Sequence, residues 1–283
     1  MHPQIAAFAR LATENTPPLR TLQGQKTLIS RTMHAFGYDP IHDEIVVNSP
    51  LAQAILIFRG GANGEEAPIR VIQGPHTRII GTATGANSKV NVDPEHNEIL
   101  LPTGDGSAPG EPGTVASAIL TFARDANGDV PPKRILSGPD TQIVGTPAVA
   151  ADLIRNLLVV NVNNAFLIFD RTAEGNTKPK AIIRGPKSQV ASMDNFVISP
   201  TGMIVNLCTG GAICAWSIND NGDVPPRWKI PMKQITGYRV SGVALVPAHK
   251  EIIFSAGGWG KGDYPPSGIM NAVITFSWPE LFD

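Results

Sequence analysis

The feature that most constrains this fold is an internal repeat. Residues 54–82 (AILIFRGGANGEEAPIRVIQGPHTRIIGT) and 118–146 (AILTFARDANGDVPPKRILSGPDTQIVGT) align without a gap and share 15 of 29 residues. The same frame recurs in weaker copies along the chain. One aromatic residue anchors each copy, and these anchors are Phe8, Phe58, Phe122, Phe169, Trp216 and Phe276. Such a chain is built from similar units that pack against their neighbours.

Each period contains four short runs rich in β-branched residues, separated by turn residues. In the second period they read KVNVD, NEILLP, AILTFAR and PKRILSG, and we name the corresponding strands a, b, c and d. Alternating apolar residues in short runs are typical of β-strands. The 25 prolines and 28 glycines interrupt any helical periodicity. The pattern therefore predicts an all-β chain.

Four-stranded units of this length bury their faces by packing in a ring, which predicts one β-propeller domain over residues 1–283. Five periods fit between the first and last anchors, so five blades are expected. Ring closure is predicted through pairing of the terminal strands: AVITFSW supplies strand c of blade five, and PLRTLQG supplies its strand d. A six-bladed ring is the alternative, and it needs strands from a partner chain or an amino-terminal segment.

Composition narrows the classes of partner. The net charge is -1 without a block of like charges, so neither a nucleic acid nor a membrane partner is expected. No apolar run is long enough to span a bilayer and no signal peptide is recognisable, which predicts a cytoplasmic protein by default. A small-molecule partner and a monomeric or weakly oligomeric state are expected. Cys208 and Cys214 are predicted to be reduced, packed thiols.

Two long b-to-c loops mark one face of the ring. Residues 101–117 in blade two and 256–271 in blade five exceed the other b-to-c loops by about a dozen residues. Loops that outgrow a repeat often carry function. The second loop combines Trp259, Asp263 and Tyr264, a mixture suited to contacting an organic substrate.

Polar residues gather near the predicted mouth of the central channel on that face. Alignment of the a strands places His34 and Asp194 in one register, with Asn87 and Asn195 beside it, and Asn48 ends a b strand on the same face. Carboxylate and amide oxygens are ligands for calcium, so Asp194, Asn195 and Asn87 are candidate metal ligands. His34 is a candidate general base and Asn48 a candidate substrate contact. The alternative is that these residues line a narrow, hydrated channel.

The segments SKVNVDPEHNEILLPT and NFVISPTGMIVNLC resemble the inner hairpins of NHL-type and lactonase-like propellers. Within that superfamily, gluconolactonases, paraoxonases and calcium-dependent phosphotriesterases hold calcium in the channel. The resemblance implies a metal-assisted hydrolase of esters, lactones or phosphotriesters, with calcium or another divalent metal at Asp194 and no organic cofactor. The other hypothesis is a non-catalytic propeller that binds a small molecule, a glycan or a protein, because fold alone does not determine function.

Overall fold

The short β-branched runs fold as strands, and the chain forms an all-β, five-bladed propeller. This computed structural model describes residues 4–30, 33, 35–80, 89–104, 117–145, 147–162, 164–191, 196–232, 235, 239–257 and 271–283. In that part of the chain, no helix is long and apolar enough to cross a bilayer.

The strands group into an amino-terminal hairpin and five blades. The hairpin consists of β1 (Gln4–Ala7) and β2 (Arg20–Gln23). Blade 1 consists of β3 (Phe36–Asp39), β4 (Glu44–Ser49), β5 (Ala54–Arg59) and β6 (Arg70–Gln73). Blade 2 consists of β7 (Asn91–Asp93), β8 (Glu98–Thr103), β9 (Ala118–Ala123) and β10 (Arg134–Leu136).

The remaining blades follow in chain order. Blade 3 consists of β11 (Ala148–Asp152), β12 (Leu157–Val162), β13 (Ala165–Asp170) and β14 (Ala181–Arg184). Blade 4 consists of β15 (Val197–Ile198), β16 (Met203–Cys208), β17 (Ala212–Ser217) and β18 (Trp228–Ile230). Blade 5 consists of β19 (Arg239–Val246), β20 (Glu251–Gly257) and β21 (Asn271–Ser277).

Blades 1 to 4 share the predicted antiparallel order a, b, c, d. The register repeats as well: the b and c strands pair Ser49 with Ala54 in blade 1 and Val162 with Ala165 in blade 3. Because the side-chain period of a strand is two, this shared register directs equivalent residues to equivalent faces. The repeat is therefore preserved in the packing of each blade.

Apolar residues on both faces of each sheet hold neighbouring blades together. Between blades 1 and 2, Ile55 and Ile57 pack in one buried cluster with Leu120 and Phe122. Both faces of an interior blade are covered in this way, so strand c reads as a nearly continuous apolar run rather than an alternating one. Burial of these residues is the main source of ring stability.

Backbone hydrogen bonds add a second link between blades. The d strands β2, β6, β10 and β14 each reach the c-to-d turn of the next blade through a single parallel bridge. The bridges join Leu22 to Gly64, Ile72 to Gly128, Leu136 to Gly175 and Ile183 to Gly222. The glycine in each of these turns has a positive φ, which explains the repeated Asn-Gly and Glu-Gly dipeptides.

The terminal strands differ from the predicted closure. Strand β2 pairs with β1 in a separate two-stranded sheet, and β21 ends a three-stranded sheet, so the expected β2–β21 pairing is absent from the described strands. The cause is that β1 carries its own c-strand sequence and pairs with β2. The hairpin packs on blade 1 through Leu22 and Ile5. It contacts blade 5 through an ion pair between Arg10 and Glu251.

The predicted reduced state of the two cysteines is wrong for this structure. Cys208 and Cys214 form a disulfide with a Cα–Cα distance of 5.7 Å. They are not directly opposite each other, because Cys208 pairs with Ala212 and Cys214 with Asn206. This diagonal offset across the hairpin gives the two Cα atoms a separation within the usual disulfide range.

Candidate functional site

Most residues of the predicted catalytic and metal site lie outside the described residues. These are His34, Asn87, Asp194, Asn195, Trp259, Asp263 and Tyr264. The predicted general base, calcium ligands and substrate wall therefore stay predictions. In the described ranges, no three His, Cys, Asp or Glu side chains are grouped so that they could hold a metal ion.

Asn48 is the one predicted site residue that lies in the described ranges. It is paired with Ile55 near the end of β4, and only 1% of its surface is exposed. Asn161 occupies the same place in β12, where its amide donates a 3.0 Å hydrogen bond to the carbonyl of Ala165. The buried amide of Asn161 supports the b-to-c turn of blade 3. The predicted contact of Asn48 with a substrate stays a prediction.

The sequence reasoning missed Lys89, which precedes the inner strand β7. Only 3% of its surface is exposed, and burial lowers the pKa of its ammonium group to about 7. Ala148 and Gly242 hold the corresponding place in blades 3 and 5. A lysine among small residues at an inner-strand position was the available signal. Its amine gives the inner wall of blade 2 a group that titrates near neutral pH.

A cleft of about 830 Å³ lies between blades 1 and 2. It opens on the face of the d-to-a and b-to-c loops, and its walls come from β6, from β8–β10 and from the b-to-c and d-to-a connections of blade 1. Its polar lining residues are Gln53, Gln73, Arg78, Thr103 and Ser137. The long loop of blade 2 departs from this rim, because Thr103 and Ala118 both line the cleft.

Hydrogen bonds fix the walls of the cleft. The side-chain amide of Gln73 donates a 2.8 Å bond to the carbonyl of Ala52. The backbone N–H of Ile80 donates a 3.1 Å bond to Oγ1 of Thr103, which joins the exit of blade 1 to β8. Ser137 donates through Oγ to the carbonyl of Ser117 at 3.2 Å. The cleft is therefore bounded by braced backbone segments from both blades.

Two equivalent grooves of the ring are bridged by side chains. Between blades 2 and 3, Arg184 donates a 3.1 Å hydrogen bond to the side chain of Gln142. Between blades 3 and 4, Lys229 donates a 2.6 Å bond to the side chain of Gln189. Both glutamines follow a d strand in a left-handed backbone conformation, with φ of 58° and 55°.

The groove between blades 1 and 2 has the same backbone and different side chains. Arg78 stands where the other grooves have Gln142 and Gln189, with a matching φ of 57°. Across from it, Ser137 replaces Arg184 and Ile135 replaces Lys229. Two short or apolar side chains cannot reach across the groove to Arg78. The cleft therefore differs from the two bridged grooves in its side chains and not in its backbone.

The chemistry of the cleft suits a ligand with both apolar and anionic groups. Ile80 and Ile135 are partly exposed to it, and the exposed guanidinium of Arg78 lies at its edge. A planar guanidinium binds carboxylates with two parallel hydrogen bonds. The amides of Gln53 and Gln73 add donors and acceptors for a peptide backbone.

No protein-family model matches this chain, and no curated protein matches it. Among solved structures, the β-propeller domain of Cps50 (Swd1) from Myceliophteria thermophila is 11% identical, with a TM-score of 0.51, over 85% of this chain and 69% of that one. The WD40 β-propeller domain of Doa1 is 11% identical, with a TM-score of 0.49, over 86% and 68%. A chain of a nidogen/laminin complex is 10% identical, with a TM-score of 0.48, over 70% and 64%.

At these identities the likeness is one of fold. The Cps50 (Swd1) domain is a β-propeller, in agreement with the repeat analysis, and this likeness gives no specific support to the NHL-type and lactonase-like superfamily. The resemblance of the inner hairpins to that superfamily stays a prediction. What the comparisons establish for this chain is the β-propeller fold.

Proposed function

We propose that this protein is a non-catalytic binding module that holds a peptide segment of a partner protein in the cleft between blades 1 and 2. The observation that carries the proposal is a difference between grooves. A side-chain hydrogen bond crosses the groove between blades 2 and 3 and the groove between blades 3 and 4, but the side chains between blades 1 and 2 cannot form it. Gln142 and Gln189 are each hydrogen bonded across their grooves, whereas Arg78 faces Ser137 and Ile135.

The geometry favours an extended peptide over a fully enclosed ligand. The cleft is open along the boundary between two blades and is walled by backbone segments as well as side chains. A peptide placed there can bury apolar side chains against Ile80 and Ile135 and hydrogen bond to Gln53. Arg78 adds a preference for an aspartate or glutamate in the peptide, because a guanidinium can form two parallel hydrogen bonds with a carboxylate.

The test uses a double substitution that copies two residues from the neighbouring groove. Arg78→Gln with Ser137→Arg reproduces the Gln142–Arg184 bridge and closes the cleft with side chains already accommodated in the next groove. A phage-displayed library of random 12-residue peptides is selected on the wild type, with removal of phage that bind the double variant. Recovered peptides are then synthesised and titrated by calorimetry.

We expect acidic peptides whose Kd weakens at least tenfold in the double variant and rises with salt. Gln142→Ala, which alters the neighbouring groove, is the matched control and leaves Kd unchanged. Peptides that bind the closed variant as tightly as the wild type, or a selection that yields no cleft-dependent peptide, would refute this function.

A further inference from the structure

The ring has a position at which two strands of a blade are missing from the described chain. The hairpin β1–β2 lies between blades 5 and 1 and supplies only the outer strands, c and d. Phe8 holds the place in the repeat that Phe58 holds at the end of the apolar run of β5. The bridge from Leu22 to Gly64 likewise corresponds to the bridge from Ile72 to Gly128. We call the space on the inner side of this hairpin the seam. It is bounded by β1, by β3 and by the face of blade 5 that points toward the hairpin.

The spacing across the seam is that of ordinary neighbouring blades. Arg10 forms a 3.0 Å ion pair with Glu251, at the start of strand b in blade 5. In the complete part of the ring, Arg124 of blade 2 reaches Glu44 of blade 1 at the same distance and from the equivalent place in the repeat. Blade 5 and the hairpin are therefore adjacent members of the ring, and no described strand fills the places of strands a and b in the seam.

Blade 1 presents apolar side chains to the seam. Phe36 is 51% exposed and Tyr38 is 52% exposed, both on the inner strand β3. The residues equivalent to Phe36 are Val90 and Phe196, each 4% exposed because each packs on the preceding blade. Phe36 thus lacks the neighbour that buries its equivalents.

The hairpin and blade 5 show the same pattern. Phe8 is 50% exposed, whereas the anchors Phe58 and Phe122 are each 0% exposed. On blade 5, Val273 is 69% exposed, and its equivalent Phe166 is 0% exposed. The exposed apolar surface is therefore concentrated on three sides of one space. Contiguous patches of this kind mark interaction sites.

Among the described strands, none pairs with the edge of β1 that faces the seam. The carbonyl of Ala7 accepts a 2.8 Å hydrogen bond from the N–H of Leu19, on the β2 side. Because backbone groups alternate between the two edges of a strand, the N–H and C=O of Ala6 point to the other edge. Strand b occupies that edge in blades 1 to 4.

We propose that the seam is a strand-acceptor site that takes an a–b β-hairpin from a second polypeptide. The two added strands extend the sheet from β1 and complete a four-stranded unit. Their side chains cover Phe36 on the side of blade 1, and Phe8 and Val273 on the side of blade 5. We assign the donor hairpin to a second molecule; the strands that the structure describes each already have a place in a sheet. Addition of donor strands to a free edge is an established recognition mode.

A synthetic peptide of residues 147–162, PAVAADLIRNLLVVNV, is the probe, because it spans the a–b hairpin of blade 3 and carries the side chains suited to such a slot. We expect one peptide to bind per protein. At a peptide concentration of about 100 times Kd, we expect Tm to rise by about 5 °C. A scrambled peptide of the same composition is the control.

Two substitutions distinguish strand addition from general adhesion. Ala6→Pro removes the N–H that points into the seam while keeping the β1–β2 pairing, and we expect it to weaken Kd at least tenfold. Val273→Glu places a charge on the opposite wall of the seam, and we expect it to weaken Kd at least tenfold as well. Leu11→Ser, which removes an exposed apolar side chain outside strand β1, leaves Kd unchanged.

Equal binding of the native and scrambled peptides, unchanged binding in Ala6→Pro, or no binding would overturn the proposal. Light scattering supplies a further test. A dimer that dissociates in Ala6→Pro and excludes the peptide would show that a second copy covers the seam. The closed-cleft variant keeps full peptide binding here, so failure of the cleft proposal and failure of this one are separate results.

Discussion

The guanidinium of Arg134 contacts the carboxylate of Glu98 at two points, with Nη1–Oε1 and Nη2–Oε2 distances of 2.8 and 2.6 Å. Glu98 also accepts hydrogen bonds from Lys133 at 2.8 Å and from Arg171 of the next blade at 3.0 Å. Burial alone would raise the pKa of Glu98, but hydrogen bonds from Arg134 and Lys133 outweigh it and lower the pKa to about 2. The carboxylate is thus charged, buried and shared between two blades.

Replacing Glu98 with glutamine should lower the free energy of unfolding at pH 7 by about 3 kcal/mol, because three cations lose their shared partner. The pKa of Glu98 is lower in the folded than in the unfolded state. Its stabilisation is therefore complete above about pH 5 and is lost as the pH falls toward 2. Urea denaturation at pH 7, 5 and 3 should show a flatter pH profile in the variant. Asp170→Asn, at an exposed pair with Lys180, should change stability by less than about 0.5 kcal/mol. A wild-type pH slope retained in Glu98→Gln would contradict the assignment.

The disulfide should be detectable by thiol titration, and it should contribute modestly to the free energy of unfolding. Cys208 and Cys214 close a loop with a sequence separation of 6. Chain entropy for so short a loop predicts that Cys208→Ala with Cys214→Ala lowers the free energy of unfolding by about 2 kcal/mol. Thiol titration under denaturing conditions, without reductant, should find no free thiol. Two titratable thiols in that experiment would refute the bond.

A side chain at Gly74 should disturb the d-to-a turn. Its φ is 135°, and a Cβ there would overlap the carboxylate of Asp129. That carboxylate accepts a 2.8 Å hydrogen bond from the N–H of His76 across the blade boundary. Gly74→Ala should therefore destabilise the protein by about 2 kcal/mol. Gly128→Ala is the comparison, since it has a positive φ but open space around its Cβ. Equal losses in the two variants would attribute the effect to φ alone.

Substitution of Trp216, the anchor of blade 4, should strongly lower the free energy of unfolding. It is fully buried, and its Nε1–H donates a 2.9 Å hydrogen bond to the carbonyl of Ser188. Trp216→Ala should lower the free energy of unfolding by about 4 kcal/mol, and Trp216→Phe by about 2 kcal/mol. Chemical denaturation followed by far-ultraviolet circular dichroism measures both. Trp228→Phe, at a partly exposed position, should cost less than about 1 kcal/mol; a similar loss there would contradict the argument from burial.

The blades were predictable from sequence because their determinants are local and repeated. The gap-free match of residues 54–82 with 118–146 corresponds to β5–β6 and β9–β10, where β-branched runs and Asn-Gly turns act within one hairpin. Closure was less predictable. Strands β1 and β21 both carry the c-strand pattern, and period-two alternation cannot tell which of them takes β2 as a partner.

The cleft was missed although its signal is in the sequence. An alignment of the d-to-a turns shows Arg78 where Gln142 and Gln189 stand, and Ser137 where Arg184 stands. That comparison has meaning only when residues from neighbouring blades are known to face each other. The charged residues of the predicted catalytic site were visible as residue types, but their convergence depends on connections whose geometry the repeat does not specify.

The parallel bridge from a d strand to the next c-to-d turn bears on how such a ring can evolve. The joint consists of an apolar residue in one unit and a glycine turn in its successor, and blades 1 to 3 each carry both halves. Duplication of one unit within the gene therefore produces a copy that already fits its neighbours on both sides. Recombination can change the number of blades while the loops diverge independently, and the same joint lets one groove acquire a new ligand without redesign of the scaffold.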